Sequence, residues 1–235
     1  MATPVTQPTT AKPTHRASDL AAVDARFPSV VPERWKRATT IVHFERGATI
    51  ASAGTPCTEI LALASGAVKL LRPSRDTEQR KACSARVLDV LRAPAWICDP
   101  AWLDGGAWSA SVVTLRASVV LRTPRAELQT AMTSDLPFFD VVARTVAAAQ
   151  RALVDRIDAL GDGDAEARLA RLFDGLASRY GTTVGDAPFV ALPLRRDEIA
   201  SMIGVTTETA SRITARWTRE NRLRATRDGI LWRKL

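Results

Sequence analysis

Near Pro124 the apolar residues of this 235-residue chain change their period. Upstream, from Thr39 to about Arg125, they fall in the short runs TTIVHF, ATIAS, EILALAS, AVKLLR, ARVLDVLR, SASVVTL and SVVLR, punctuated by Gly47, Gly54, Gly66 and the Gly105-Gly106 pair. Short apolar runs separated by glycine turns predict antiparallel strands closing into a β-barrel or sandwich, with the polar segment Pro73 to Lys81 as an exposed hairpin loop. Downstream the spacing becomes about 3.6, which a helix satisfies and a strand does not. A composition that is 46% hydrophobic is enough for a real core on both sides of the switch. No uninterrupted apolar run approaches the roughly 20 residues of a membrane span. The N-terminal stretch MATPVTQPTTAKPTHR also lacks the apolar centre of a signal peptide. The expected location is therefore the cytoplasm, with no membrane partner, and residues 1–18 are expected to form a disordered tail.

The first helical segment, Phe138 to Leu160, places Val142, Val146, Ala149 and Leu153 at 4-3-4 spacing, continues to Ile157 and Leu160, and stops at Gly161-Asp162-Gly163. So narrow a seam on so long a helix predicts packing against a second copy of itself, a homodimer. A second helix, about Asp164 to Arg179, buries Leu169, Leu172, Phe173 and Leu176, and Tyr180 to Pro188 reads as a turn-rich connection. The expected organisation is a β-barrel or sandwich domain over 19–134, a dimerisation helix over 135–162 and a terminal module over 163–235. The fold class is α+β.

The formal charge of +8 is concentrated at the end of the chain. From Pro188 to Leu235 there are ten Arg and Lys residues against five acids. Such a module suits a polyanion, because each phosphate it neutralises releases counterions. Within it, a short helix near Asp197 to Ile203 is followed by Gly204, which can take the left-handed conformation that ends a helix. Thr206 is placed to cap a second helix, and Glu208 in its first turn complements the positive helix end. Ala210, Ile213 and Trp217 share the buried face of that helix, while Glu208, Ser211, Arg212, Ala215, Arg216 and Arg219 share the other. This is a helix-turn-helix, whose second helix enters the major groove of double-stranded DNA. Arg212 suits guanine O6 and N7, Glu208 suits cytosine N4, and Ser211 suits a base or a phosphate. Thr206, Thr207, Arg216 and Arg219 are placed for the DNA backbone. Leu223 to Leu235, turning at Asp228-Gly229, reads as a two-stranded wing.

The stretch LPLRRDEIASMIGVTTETASRITARW resembles the signature of the Crp-Fnr family of bacterial transcription regulators, with an acid, Ile-Ala, Gly and Glu-Thr-x-Ser-Arg at matching spacings. Gly47 to Gly54 and SGAVKL (Ser65 to Leu70) are similar to the family's β-roll motifs. The resemblance runs from about residue 39 to 235. It implies a cyclic-nucleotide-binding-like β-roll, a long dimerisation helix and a C-terminal winged helix-turn-helix, in a homodimer that regulates transcription and is not an enzyme. RNA polymerase becomes a further partner if the protein activates. Glu208, Ser211 and Arg212 together are similar to the Fnr type, which implies a palindrome near TTGAT, four free base pairs, ATCAA. Arg195 departs from the family's Ser or Thr helix cap, at an expected cost of about 1 kcal/mol.

Cyclic-nucleotide-binding relatives hold ribose and phosphate with a Gly-Glu pair and, ten residues after the Glu, an Arg-Ser pair. Laid on this chain without a gap, those positions are Ile97-Cys98 and Trp108-Ser109, so a thiol replaces the acid and an indole replaces the cation. Burying a phosphate without its cation is costly, and no cyclic AMP or cyclic GMP dependence is expected. Trp96, Trp102 and Trp108 either fill the vacated pocket as core or, with Cys98 and Ser109, line a site for an apolar effector. Cys57, Cys83 and Cys98 are the candidates for a thiol switch against the simpler reading of small buried hydrophobes. Three scattered cysteines cannot supply the four ligands of an Fnr-like iron-sulfur cluster. Haem, which some relatives use, would need His43 or a cysteine, yet a lone strand histidine is ordinarily packed or solvated, so no cofactor and no metal are expected. The alternative to an effector-independent regulator is thus a thiol, haem or apolar-ligand sensor. An enzyme is disfavoured because His15 lies in the tail, His43 has no sequence-local partner, and no phosphate loop, serine elbow or zinc motif occurs.

Overall fold

The computed structural model describes residues 33–73, 85–161, 163–184 and 187–233. The described residues fall into two units, one within Met1–Arg72 and Val90–Ala149 and the other within Pro73–Asp89 and Gln150–Leu235. The expected N-terminal tail lies outside the described residues, as do Cys83 and most of the polar 73–81 segment. Among the described residues, no helix is long and apolar enough to cross a membrane.

The order of elements is α1 (Glu33–Ala38), β1 (Thr40–Phe44), β2 (Thr49–Ala51), β3 (Glu59–Ser65), β4 (Ala67–Pro73), β5 (Ala85–Arg92), β6 (Ala95–Trp96), α2 (Ala101–Asp104), β7 (Ser111–Thr114), β8 (Ser118–Pro124), α3 (Arg125–Ser134) and α4 (Leu136–Gly161). The strands form two four-stranded sheets, ordered β1-β8-β3-β6 and β2-β7-β4-β5. Strand β3 buries every residue from Ile60 to Ala64, because both its faces are covered. Ile60, Leu61 and Leu63 join the main core with Val42, Val68, Val120 and Trp102, while Ala62 and Ala64 join a smaller cluster with Ile41 and Leu121. A strand covered on both sides reads as a continuous apolar run, as EILALAS does. The turn between β3 and β4 depends on Gly66, which has φ +93°; a Cβ there would overlap Ser118 and the Ala117 carbonyl. The short helices α1, α2 and α3 carry too few apolar residues at helical spacing to show in the sequence pattern.

The second unit continues through α5 (Ala165–Tyr180), β9 (Gly181–Val184), β10 (Ala187–Val190), α6 (Arg196–Ile203), α7 (Thr207–Arg219), β11 (Leu223–Ala225) and β12 (Ile230–Trp232). Helix α5 starts where Asp164 accepts a hydrogen bond from the Ala167 backbone N–H at 2.8 Å, and it buries Leu169, Phe173 and Leu176. The expected connection at 180–188 is a β-hairpin instead: β9 pairs with β10, and the wing is half of a four-stranded sheet ordered β11-β12-β10-β9. Pro188 and the four-residue strand lengths hide this from a sequence reading, since proline inside a run argues against a strand.

Three aromatic rings hold the unit together. Trp217 of α7 and Trp232 of β12 lie 5.0 Å apart between centroids, and Phe173 of α5 lies 5.4 Å from Trp232. Arg222 spreads its guanidinium over both indoles, at 4.9 and 5.6 Å. Both indole N–H groups are satisfied at the edge of the cluster. Trp217 Nε1 donates to Glu166 at 2.8 Å and Trp232 Nε1 donates to Asp174 at 2.8 Å. The Arg216 guanidinium and then the Trp217 N–H, both bonded to Glu166, hold its carboxyl below the usual carboxylate range. The stability gained from this group is thus present above that range and lost as pH falls through the lowered pKa. Replacing Trp217 by Phe keeps most of the ring burial but removes the indole bond to a charged acceptor. Urea unfolding of Trp217→Phe is expected to show a loss of about 1.5–3 kcal/mol; a loss under about 0.5 kcal/mol would show that the bond contributes little.

Candidate nucleic-acid interface

Helices α6 and α7 meet through a four-part local code. Helix α6 ends at Gly204, φ +68°, whose N–H and that of Val205 return to carbonyls of the last turn. Thr206 then caps α7, its hydroxyl accepting from the Thr209 N–H at 3.2 Å. At the start of α6, Arg195 offers no acceptor for the helix N–H groups, but the reciprocal half of a capping box is present. Glu198, buried, accepts from the Arg195 backbone N–H at 2.8 Å, and the Arg195 side chain pairs with Asp197 at 2.8 Å. The lost cap is therefore partly offset by charge-assisted contacts.

Helix α7 buries Ala210, Ile213, Thr214 and Trp217. Its opposite face carries Thr207, Glu208, Arg212, Ala215, Arg216 and Arg219 exposed, with Ser211 half-buried between them. The side chains of Glu208, Arg212 and Arg219 form no hydrogen bond or ion pair with other described residues, and only Arg216 is committed, to Glu166 and more loosely to Glu220. Glu166 is a residue that sequence reasoning missed; its signal was an acid in the first turn after an Asp cap, indistinguishable from ordinary helix-end charge. Arg224, Arg227 and Arg233 in and around the wing are also exposed. The arrangement is a convex helix face with one free carboxylate and free guanidinium forks, flanked by a basic hairpin.

Along α4, the seam residues separate. Val142 is 7% exposed and packs in the core of its own unit. Val146 is half-buried and Ala149 exposed, while Leu153, Ile157 and Leu160 are exposed, Ile157 at 64%. Of the seven large hydrophobic side chains exposed among the described residues, six lie on this helix.

The segment aligned with a nucleotide pocket carries two buried indoles and a buried carboxylate. Trp102 and Trp108 are core residues, and Trp96 meets Trp102 edge-on at 5.8 Å. The cavity beside this pair, lined also by Leu128 and Phe138, is about 10 Å³, room for one water. Asp99, buried and unnoticed in the sequence, accepts from the Ala101 N–H at 3.0 Å and from both the N–H and the hydroxyl of Ser109, at 3.0 and 2.6 Å. Burial, and then the Asp99 charge, push the Cys57 and Cys98 thiols up to about 11. His43 is exposed on β1, and among the described residues no cluster of three His, Cys, Asp or Glu side chains is placed to hold a metal ion.

Comparison with known proteins gives a consistent identity. Residues 41–135 match the cyclic nucleotide-binding domain family and residues 167–234 the Crp-like helix-turn-helix domain family, together more than half of the chain. The CRP-like cAMP-activated global transcriptional regulator of Mycobacterium tuberculosis is 25% identical over 174 residues, 74% of this chain and 75% of that protein. Among solved structures, FixK2 from Bradyrhizobium japonicum superposes with TM-score 0.71 at 19% identity, covering 83% of this chain and 93% of that one. A CooA mutant from Carboxydothermus hydrogenoformans gives TM-score 0.69 at 19% identity, covering 95% and 94%. At these identities the structural likenesses establish the fold alone, and the two matched domains in their order establish the rest. With a cyclic-nucleotide-binding-like domain ahead of a long helix and a winged helix-turn-helix, the chain belongs to the Crp-Fnr family of DNA-binding transcription regulators, which are not enzymes.

Proposed function

We propose that this regulator acts as a homodimer on an Fnr-like palindrome, TTGAT and ATCAA separated by four base pairs, and does so without a cyclic nucleotide. The observation that carries the reading is the free state of Glu208 and Arg212 on an otherwise well-anchored helix. Arg212 pairs with guanine O6 and N7, Glu208 accepts from a cytosine amino group, and Ser211 completes the half-site contact. Arg219, Thr206 and Thr207 are assigned to phosphates. Arg216 reaches a phosphate only by exchanging its Glu166 contact, so its share of the binding is smaller than that of Arg219.

Dimerisation rests on the α4 stripe of half-buried Val146 and exposed Ala149, Leu153, Ile157 and Leu160, which is the kind of apolar surface a single chain leaves in water only when a second copy covers it. Two recognition helices related by that axis then meet successive major grooves, about 34 Å apart.

The Mycobacterium tuberculosis relative is described as cAMP-activated. Here the Ser109 hydroxyl and N–H, which a nucleotide phosphate would need, are already held by Asp99, and in the ungapped alignment Trp108 takes the place of the phosphate's cation. A second anion beside a buried carboxylate is repelled and has no counter-charge. Among the described residues, the tryptophan cavity is too small for an organic effector, and Cys57 and Cys98 are held as thiols at neutral pH, the less reactive form.

Two measurements test this reading. In a base-substitution binding panel, Arg212→Ala is expected to lose about 1–3 kcal/mol on the intact half-site and to stop discriminating at the guanine position; unchanged specificity would contradict the assignment. Sedimentation of Ile157→Glu is expected to give a monomer with cooperative unfolding intact, since the side chain is exposed in the isolated chain; a dimer of undiminished affinity would move the interface elsewhere.

A further inference from the structure

Helix α4 carries two overlapping apolar repeats, and burial decides between them. Both contain Val146, Leu153, Ile157 and Leu160. The first also runs through Val142 and Ala149, but Val142 lies in the core of its own unit, and the spacing breaks into two successive fours at Leu153. The second starts at Leu136 and Phe139 and passes Ala143 and Gln150, which gives an unbroken 3-4 alternation from the first residue of the helix to the last but one. All its side chains are exposed except that of Val146, which is half-buried. Five of the six large hydrophobic side chains that α4 exposes lie on this second repeat, Leu136 at 80%, and the sixth, Val154, adjoins it. The six charged residues of the helix, Asp140, Arg144, Arg151, Asp155, Arg156 and Asp158, all fall outside it.

In heptad terms Leu153 and Leu160 occupy d positions and Ile157 an a position, the combination that favours two parallel strands. Leu136, Phe139, Val146, Val154 and these three each have on the order of 100 Å² of surface to lose. Two such helices bury on the order of 1,400 Å², within the roughly 1,200–2,000 Å² of a stable interface. The exception in this apolar seam is Gln150, at an a position near the middle of the helix. Its side chain forms no hydrogen bond with other described residues.

We propose that Gln150 pairs with its own copy across the twofold axis and fixes the α4 dimer as parallel and in register, an inference that rests on the homodimer proposed above. An amide carries both donors and an acceptor, so two copies related by a twofold axis satisfy each other. Without that partner each buried amide is left unsatisfied, at a cost in free energy. A slip of one heptad sets Gln150 against Ala143 or Ile157. An antiparallel pairing sets a residues against d residues, so that Gln150 meets Val146 or Leu153. Of these arrangements only the parallel, in-register pair puts amide against amide. The apolar positions supply affinity, and the amide gives up part of it to select one geometry.

The test is sedimentation equilibrium of the full chain without DNA. Gln150→Leu is expected to tighten self-association at least about tenfold, because the desolvated amide is gone. Gln150→Glu is expected to weaken it at least about tenfold, because two carboxylates meet. Ala143→Glu, on the second repeat only, is expected to weaken it by a similar factor, and Ala148→Glu, exposed on the far side of the helix, to leave it unchanged. Copper-phenanthroline oxidation of Leu153→Cys is expected to link the two copies of position 153, as located by peptide mass spectrometry. Adding Gln150→Leu is expected to lower the yield of that link as other registers appear. Affinity indifferent to both Gln150 substitutions or to Ala143→Glu, absence of the link, or a yield that Gln150→Leu leaves unchanged overturns the proposal. A dimer broken by Ile157→Glu yet indifferent at Gln150 overturns the amide pair and leaves the homodimer standing, whereas a wild-type chain that stays monomeric overturns both.

Discussion

The geometry of the DNA-binding unit depends on how one indole is held. Trp217 is fully buried, lies against Trp232 and Phe173, and donates its N–H to Glu166. Burying an aromatic of this size is worth about 4–6 kcal/mol at about 25 cal/mol per Å², more than any surface ion pair in the unit can supply. That single side chain fixes α7 to α5 and to the wing sheet at once. The hydrogen bond to Glu166 adds direction to a contact that burial alone would leave free to rotate. Because anchoring is completed on one face, the other is spared: the side chains of Glu208, Arg212 and Arg219 form no hydrogen bond or ion pair with other described residues, as the proposed DNA contacts require. Arg216, drawn into the anchor through Glu166, marks the boundary between the two roles.

The N-terminal unit resolves an electrostatic problem internally. A β-roll shaped for a nucleotide presents donors that must be satisfied when the ligand is absent. In this chain Asp99 satisfies the Ser109 hydroxyl and N–H as well as the Ala101 N–H, while Trp102 and Trp108 occupy space as core. A buried carboxylate is tolerated there because three donors converge on it. The same charge contributes to holding Cys98 and Cys57 as thiols.

Much of this was legible in the sequence because the relevant signals are local. The left-handed Gly204, the Thr206 cap and the 3.6-residue spacing of Ala210, Ile213 and Trp217 depend on neighbours within a few positions. Strand β3 announced itself because burial on both faces leaves an unbroken apolar run. What stayed hidden was set by partners distant in sequence. Glu166 is an ordinary helix-start acid until Trp217 and Arg216, some fifty residues away, reach it. Asp99 carries no local signal in the sequence, and its role comes from the donors that Ser109, ten residues on, brings to it. Val142 fits the α4 heptad as well as Val146 does, yet belongs to the core of its own unit, because periodicity identifies a face and not what covers it. The β9–β10 hairpin was masked by Pro188 and by strands too short to show alternation.

The central claim is that two free recognition faces, related by a dimer axis along α4, read two half-sites at one fixed spacing. Fluorescence anisotropy at fixed salt, without nucleotide, measures it directly on three duplexes: TTGAT and ATCAA separated by four base pairs, the same half-sites separated by nine, and a scrambled sequence. Five added base pairs turn the second half-site to the opposite side of the DNA, so the four-base-pair duplex is expected to bind at least about a hundredfold more tightly than either of the others, and added cyclic AMP is expected to change none of the three affinities. Equal affinity for the two spacings, or selectivity that appears only with cyclic AMP, would contradict it.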